Sequence, residues 1–333
     1  MRGLRVHGGP GADGPARFDF STTANACGPQ PAAWQAVRRA DRRHYPDPEG
    51  RALRERLAAL HGVGAERVLL AASASEFIFR CTAVADPGAV RVPRFGFGDY
   101  AAAAHAFDKA VVHDVDPRRE RRVALAWFAD PGSPLGQPEA APPTLPDDQV
   151  LQVLDRACAP LRLQGRSAWP AAAARAVFQL WSPNKALGLT GVRGAYAIAP
   201  ARSRWTGRLQ AACPSWPLGA DGAAMLAAWT EPAVQRWVAA SRLRLRGWQR
   251  SQQALLAALG FEPLPSVANF FVVRPPARVG MRRVEQALAA EGLRWRDTLS
   301  FGLPGAWRVS VQPPRAQQAL RACLSRALEP CPR

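Results

Sequence analysis

The sequence predicts an α/β fold followed by a smaller α+β unit, on three observations. Short apolar runs of the buried-strand kind, at 68–72, 89–93 and 123–128, alternate with helical or turn-rich segments, as strands of a parallel sheet do. A long arginine-rich helical stretch at 231–259 then separates this pattern from a mixed strand–helix pattern at 268–327. The 333 residues suffice for one large and one small domain. The expected division is an N-terminal arm at 1–30, a large domain at 31–230 and a small domain at 231–333.

Composition narrows the class. Hydrophobic residues make up 48% and charged residues 21%, a globular balance. No apolar run reaches 18 residues, so no membrane span is expected, and the N-terminus lacks the apolar core of a signal peptide. Six cysteines (Cys27, Cys81, Cys158, Cys213, Cys323, Cys331) are scattered without CxxC spacing. That argues against a metal site or a disulfide framework, and for a cytoplasmic protein. The net charge of +18 raises the question of nucleic acid. Yet the Arg-Arg pairs at 38–39, 42–43, 118–119, 121–122 and 282–283 lie apart, and no nucleic-acid motif accompanies them. The basic surface instead favours small anionic substrates through steering.

Taken in order, residues 1–30 are rich in Gly, Pro and Ala and carry His7-Gly8-Gly9. The run from Asp19 through Asn25 to Pro29 reads as an extended segment ending in a turn. A helix is expected at 31–43. Tyr45-Pro46-Asp47-Pro48 breaks the chain before an amphipathic helix at about 49–61. After the strand at 68–72 come Ser73, Ala74, Ser75 and Glu76, then a helix. Strand, small residues and helix start aim backbone N–H groups at an anion; the same serine equally serves as a plain N-cap. The strand at 89–93 leads into Arg94-Phe95-Gly96-Phe97, where an aromatic is either core or platform. Further strands are expected at 110–115 and 123–128, the second ending in Asp130-Pro131-Gly132-Ser133-Pro134. Residues 137–149 are Pro-rich and polar. The apolar run from Val150 ends in Asp155. Beyond the lysine loop at 182–193 come a strand at 194–199, a loop at 213–220 and a helix from 221 to 229. Within the long helix Arg242, Arg246 and Arg250 share one solvated face. The C-terminal part reads as strands at 268–274, 293–297 and 307–311 and helices at 281–291 and 315–327.

Lys185 is the pivot. Only two of the 44 basic residues are lysines, Lys109 and Lys185. An amine that must lose its proton and attack a carbonyl can be lysine, because arginine stays protonated. On residue type alone Lys185 is either a chance surface lysine or a Schiff-base lysine. Its neighbours decide: Ser182 and Arg193 bracket a turn-rich apolar loop, a setting for a phosphate anchored beside an aldehyde.

Ser-x-x-Lys-x-x-Gly-Leu-x-Gly-x-Arg-x-x-Tyr at 182–196 resembles the cofactor-lysine signature of fold-type I pyridoxal-phosphate (PLP) enzymes, the aminotransferase class I/II group. The resemblance covers about 5–327. It is closest to the branch of threonine-phosphate decarboxylases of cobalamin biosynthesis and histidinol-phosphate aminotransferases, with the opening motifs nearer the decarboxylases. It implies a large domain built on a mostly parallel, seven-stranded sheet, and a homodimer.

It further implies PLP on a catalytic Lys185. Ser73, Ala74, Ser75, Ser182 and Arg193 would hold its phosphate, with Tyr45 reaching over from the second subunit. Phe95 would stack on the ring and Asp155 would pair with the ring nitrogen. Ser133 and Cys158 stand where the family has the asparagine and tyrosine that bind the 3-oxygen, and Arg156 stands where it has glutamate. Arg308 would clamp a substrate carboxylate. Arg296, His7 and Asn25 would complete the substrate site. The implied substrate is small, phosphorylated and amino-acid-like. The implied reaction is decarboxylation of L-threonine-O-3-phosphate, with histidinol-phosphate-type aminotransfer as the alternative. A PLP-binding relative with impaired catalysis is the third reading, motivated by Ser133, Arg156 and Cys158.

Overall fold

The computed structural model describes residues 7–11, 14–113, 122–139, 149–277 and 279–329. The end of the strand expected at 110–115, Arg118, Arg119, Arg121, most of the 137–149 segment and Cys331 lie outside them.

The chain opens with β1 (Phe18–Asp19), α1 (Pro31–Arg38) and α2 (Arg51–His61). Gln30 caps α1 by accepting from the Ala33 amide at 2.6 Å. The helix stops short of the expected end at 43, at Arg38. Next come β2 (Val68–Ala71), α3 (Ala74–Val84), β3 (Ala89–Arg91), α4 (Gly98–Ala106), β4 (Val111–Val112), β5 (Val123–Ala129) and β6 (Leu151–Asp155). Then follow α5 (Ala171–Arg175), β7 (Phe178–Trp181), β8 (Ala195–Ile198), α6 (Trp205–Ala211), α7 (Ala220–Trp229) and the long α8 (Pro232–Ala258). The remainder is β9 (Glu262–Pro263), β10 (Phe270–Arg274), α9 (Met281–Ala290), β11 (Leu293–Arg294), β12 (Arg296–Asp297), β13 (Trp307–Ser310) and α10 (Pro314–Leu328). The sequence did not signal α4: its alanine-rich run is apolar on too many sides to display a helical period.

The fold is α/β. Seven strands form one sheet in the order β2-β8-β7-β6-β5-β3-β4. All pairings are parallel except those of β8, which runs antiparallel to both β2 and β7. This arrangement fixes the site. The C-terminal ends of β2, β3, β5, β6 and β7 meet at one edge, and the reversed β8 adds its N-terminal end there.

A second, antiparallel sheet has the order β12-β13-β10-β9. The single strand expected at 293–297 divides at Trp295. β11 pairs with β1, while β12 joins β13. Trp295 turns inward to meet Phe261 and Trp307 edge-on, at 5.8 and 5.3 Å between ring centres. One continuous body of buried side chains runs from Leu57, Val68 and Tyr196 through Val234, Leu245 and Leu256 of α8 to Val309 and Leu324. Among the described residues no helix is long and apolar enough to cross a membrane, and no cluster of three or more His, Cys, Asp or Glu could hold a metal.

Candidate active site

The lysine loop is a tight backbone knot between β7 and β8. Asn184 ties it: its Oδ1 accepts from the Lys185 amide at 2.9 Å and from the Ser182 hydroxyl at 3.1 Å. Its Nδ2 donates to the Thr190 and Val192 carbonyls. Gly188 has φ +66°, and a Cβ there would lie 2.6 Å from the Gly28 carbonyl, so the loop needs glycine at this point. Asn25 braces the loop from outside. Its backbone amide donates to the Lys185 carbonyl at 2.8 Å, and its side chain donates to Ala186 O and Ser241 Oγ. The side-chain donors of Asn25 are thus committed to holding the loop against α8.

Asp155 ends β6, buried, within electrostatic reach of Lys185. Burial pushes its carboxyl up from the ordinary range. Hydrogen bonds from the Tyr100 hydroxyl (2.6 Å, to Oδ2) and the Ala157 amide (2.7 Å, to Oδ1) pull the other way, as does Lys185. Tyr100 is itself fixed by stacking on Trp127, with ring centres 4.8 Å apart. Cys158 lies within reach of Lys185, Asp155 and Arg308, and burial pushes its thiol up. Phe97 meets Tyr100 edge-on at 6.0 Å, whereas Phe95 faces Gly302 in the β12–β13 connection. The loop therefore presents two aromatics, with Phe97 on the Asp155 side.

The second sheet closes the opposite side. Arg308, buried in β13, donates to Ser133 Oγ (2.9 Å) and to the Ser21 carbonyl (2.7 Å). Its Nε has no hydrogen-bond partner. Burial lowers its pKa to about 10, opposed by Cys158 and reinforced by repulsion from Arg296. Arg296 is its direct cross-strand partner. The arm arrives beside them: Gly9 donates to Ser21 Oγ at 2.8 Å, and exposed His7 meets Phe97 at 5.7 Å.

Arg156 and Asp130 explain each other. Asp130 is fully buried after β5. Its carboxylate accepts from Arg162, Ser167 Oγ and the Ala168 amide, with Arg156 at 3.6 Å. Asp130 thus faces the arginine that stands where the family has glutamate. A buried aspartate without these cations would be strongly destabilising, by about 3–5 kcal/mol.

At the β2 end, Ser73 caps α3 by accepting from the Glu76 amide at 3.0 Å, with Ala74 and Ser75 in its first turn. Ser182 follows β7 and exposed Arg193 precedes β8, both at the same sheet edge as Ser73. Tyr45 does not join this cluster. It is 78% exposed and stacks on Trp216 at 4.6 Å. The other lysine, Lys109, donates to the Ala85 and Asp86 carbonyls at the end of α3, a structural role.

The aminotransferase class I and II profile matches residues 170–325. Histidinol-phosphate aminotransferase from Anaeromyxobacter sp. (strain Fw109-5) is 30% identical over 93% of this chain and 90% of its own length. The chain belongs to the aminotransferase class I and II family. It is a PLP-dependent enzyme of fold type I. Another relative in this family, histidinol-phosphate aminotransferase from Ruegeria sp. (strain TM1040), is 29% identical over 92% of this chain and 89% of its own length.

Among solved structures of the fold, histidinol-phosphate aminotransferase from Sinorhizobium meliloti, in complex with pyridoxal-5'-phosphate, superposes with TM-score 0.78. It has 21% identity and covers 95% of this chain and 91% of its own. L-threonine-O-3-phosphate decarboxylase from Porphyromonas gingivalis gives TM-score 0.76 at 21% identity, covering 93% and 99%. Within this aminotransferase-family site, sequence reasoning passed over Tyr100, Asn184 and the Asp130–Arg162 contact. Asn184 had a signal, since it sits inside the quoted motif. Tyr100 had none, because its partner lies 55 residues away.

Proposed function

We propose that this enzyme is an aminotransferase for a small phosphorylated substrate of the histidinol-phosphate kind. The observation that carries the reading is Arg308: a buried guanidinium with an unused Nε, facing the same cluster as Lys185 and adjoining a second arginine across β12–β13. Burying a cation without a carboxylate beside it is costly unless a ligand supplies the anion. The curated relatives named above support aminotransfer over decarboxylation and so reverse the order suggested by the opening motifs. The decarboxylase likeness, at 21% identity, bears on the fold alone.

The residues fit PLP. Lys185 supplies the amine for its aldehyde and Asp155 the acceptor for its ring nitrogen. The first-turn amides of α3, Ser182 and Arg193 suit its phosphate. Ser133 and Cys158 would serve its 3-oxygen, and Phe95 or Phe97 would cover its ring. PLP held there would supply an electron sink for the amine-bearing carbon of the substrate. Arg308 would take the phosphate of the substrate through a charge-assisted fork, with Arg296 and His7 completing the anion site. Lys185 Nζ would take the proton from that carbon and carry it to the cofactor side. Tyr45 and Trp216 belong to the contact with a second copy in this reading, Tyr45 completing the partner's phosphate site. Sedimentation that gave only monomers would remove this role. α8 would mark the boundary between the cofactor-binding and small domains.

The test uses purified holoenzyme with a 2-oxo acid as amino acceptor and L-histidinol phosphate, L-threonine phosphate or their unphosphorylated forms, following amino transfer and CO2 separately. Amino transfer from the phosphorylated amine, falling at least about tenfold without the phosphate, is expected. Release of CO2 from threonine phosphate without amino transfer would overturn the proposal.

A further inference from the structure

The connection between β12 and β13 brings an aromatic ring to both arginines. Phe301 lies 5.1 Å from the Arg296 guanidinium carbon and 5.3 Å from that of Arg308, measured to the ring centre. All three side chains are buried, at 8%, 4% and 9% exposure respectively. The two arginines are register partners, so two poorly hydrated cations face each other across the hairpin. The hairpin is built to hold the ring still. Buried Thr298 sets its hydroxyl 2.5 and 2.8 Å from the Leu303 and Ala306 carbonyls, and Gly302 turns the chain at φ +77°. An aliphatic side chain could fill the same space. An aromatic adds a face of negative electrostatic potential, which steadies a cation without neutralising it as a carboxylate would. A carboxylate there would compete with an anionic substrate.

We propose that Phe301 is a positioning residue for substrate specificity: its ring holds Arg296 and Arg308 in fixed spacing and available to the phosphate of the substrate. The inference rests on the substrate class proposed above. Removing the ring face leaves the chemistry at Lys185 untouched and loosens anion capture, so KM and not kcat should respond.

Phe301→Leu, Phe301→Tyr and Arg308→Ala are compared with wild-type holoenzyme on L-histidinol phosphate. Protection of the same proteins by inorganic phosphate is followed by thermal unfolding. Phe301→Leu should raise KM about tenfold with kcat nearly unchanged, and should weaken phosphate protection. Phe301→Tyr should restore both. An unchanged KM and unchanged protection in Phe301→Leu, while Arg308→Ala raises KM, would overturn the role of Phe301 alone. An unchanged KM in Arg308→Ala would overturn the substrate site as well. A fall in kcat and thermal stability that Phe301→Tyr leaves uncorrected would mark the ring as core packing and also overturn the proposal.

Discussion

Asp155 is a carboxylate under opposing influences. Burial favours its neutral form, while the Tyr100 hydroxyl and the Ala157 amide favour the anion that the proposed pairing with the cofactor ring nitrogen requires. Tyr100→Phe deletes one of these donors, so the Asp155 pKa should rise further. A hydrogen bond to a charged group contributes about 1.5–3 kcal/mol, or roughly one to two pH units. The acid limb of the kcat/KM profile should therefore move to higher pH by about that amount in Tyr100→Phe. Superimposable acid limbs would refute it. At this scale legibility depended on contiguity. Lys185, Ser182 and Arg193 share one short motif, and Asp155 is marked by the apolar run before it. Arg156 read as a loss because a single sequence gives no sign that Asp130 stands opposite it.

At the scale of elements, α2 is pinned to β8 and α7 through one buried contact. His61 Nε2 lies 2.8 Å from the Tyr196 hydroxyl, which also accepts from Trp229 Nε1 at 3.0 Å. Burial lowers the His61 pKa from 6.5 to about 4. The unfolded chain therefore takes up this proton first as the pH falls. The stability linked to His61 is fully present above about pH 6.5 and is lost toward pH 4, to a limit of about 3 kcal/mol. His61→Gln keeps a hydrogen-bonding side chain that does not titrate. Its denaturation midpoint should fall less between those pH values than that of wild type, and parallel curves would contradict the assignment. Strand and helix positions were mostly legible from apolar periodicity. The division of 293–297 was not, because the pattern cannot tell that Trp295 leaves the strand to join Phe261 and Trp307.

For the whole molecule, the net charge of +18 makes a long-range field for anions. With a phosphorylated substrate, kcat/KM should fall several-fold as ionic strength rises from about 0.01 to 0.15 M, where the Debye length shrinks from about 30 to 8 Å. A rate constant indifferent to salt would assign the arginine excess to composition alone. The seven-stranded sheet gathers Ser73, Asp155, Ser182 and Lys185 at one edge because the C-terminal ends of β2, β6 and β7 meet there; the reversed β8 brings Arg193 to the same edge, and no local pattern in the sequence predicts that reversal.

The central claim is that this site is built around Lys185 as the cofactor-bearing amine. The chain contains just one other lysine, and Lys109 is committed to the Ala85 and Asp86 carbonyls just after α3. Borohydride treatment of the yellow holoenzyme followed by peptide mapping therefore gives a direct answer. The cofactor should be fixed on the peptide carrying Lys185, with Lys185→Ala left unlabelled. Label on Lys109 alone, or no cofactor uptake by the purified protein, would contradict the account.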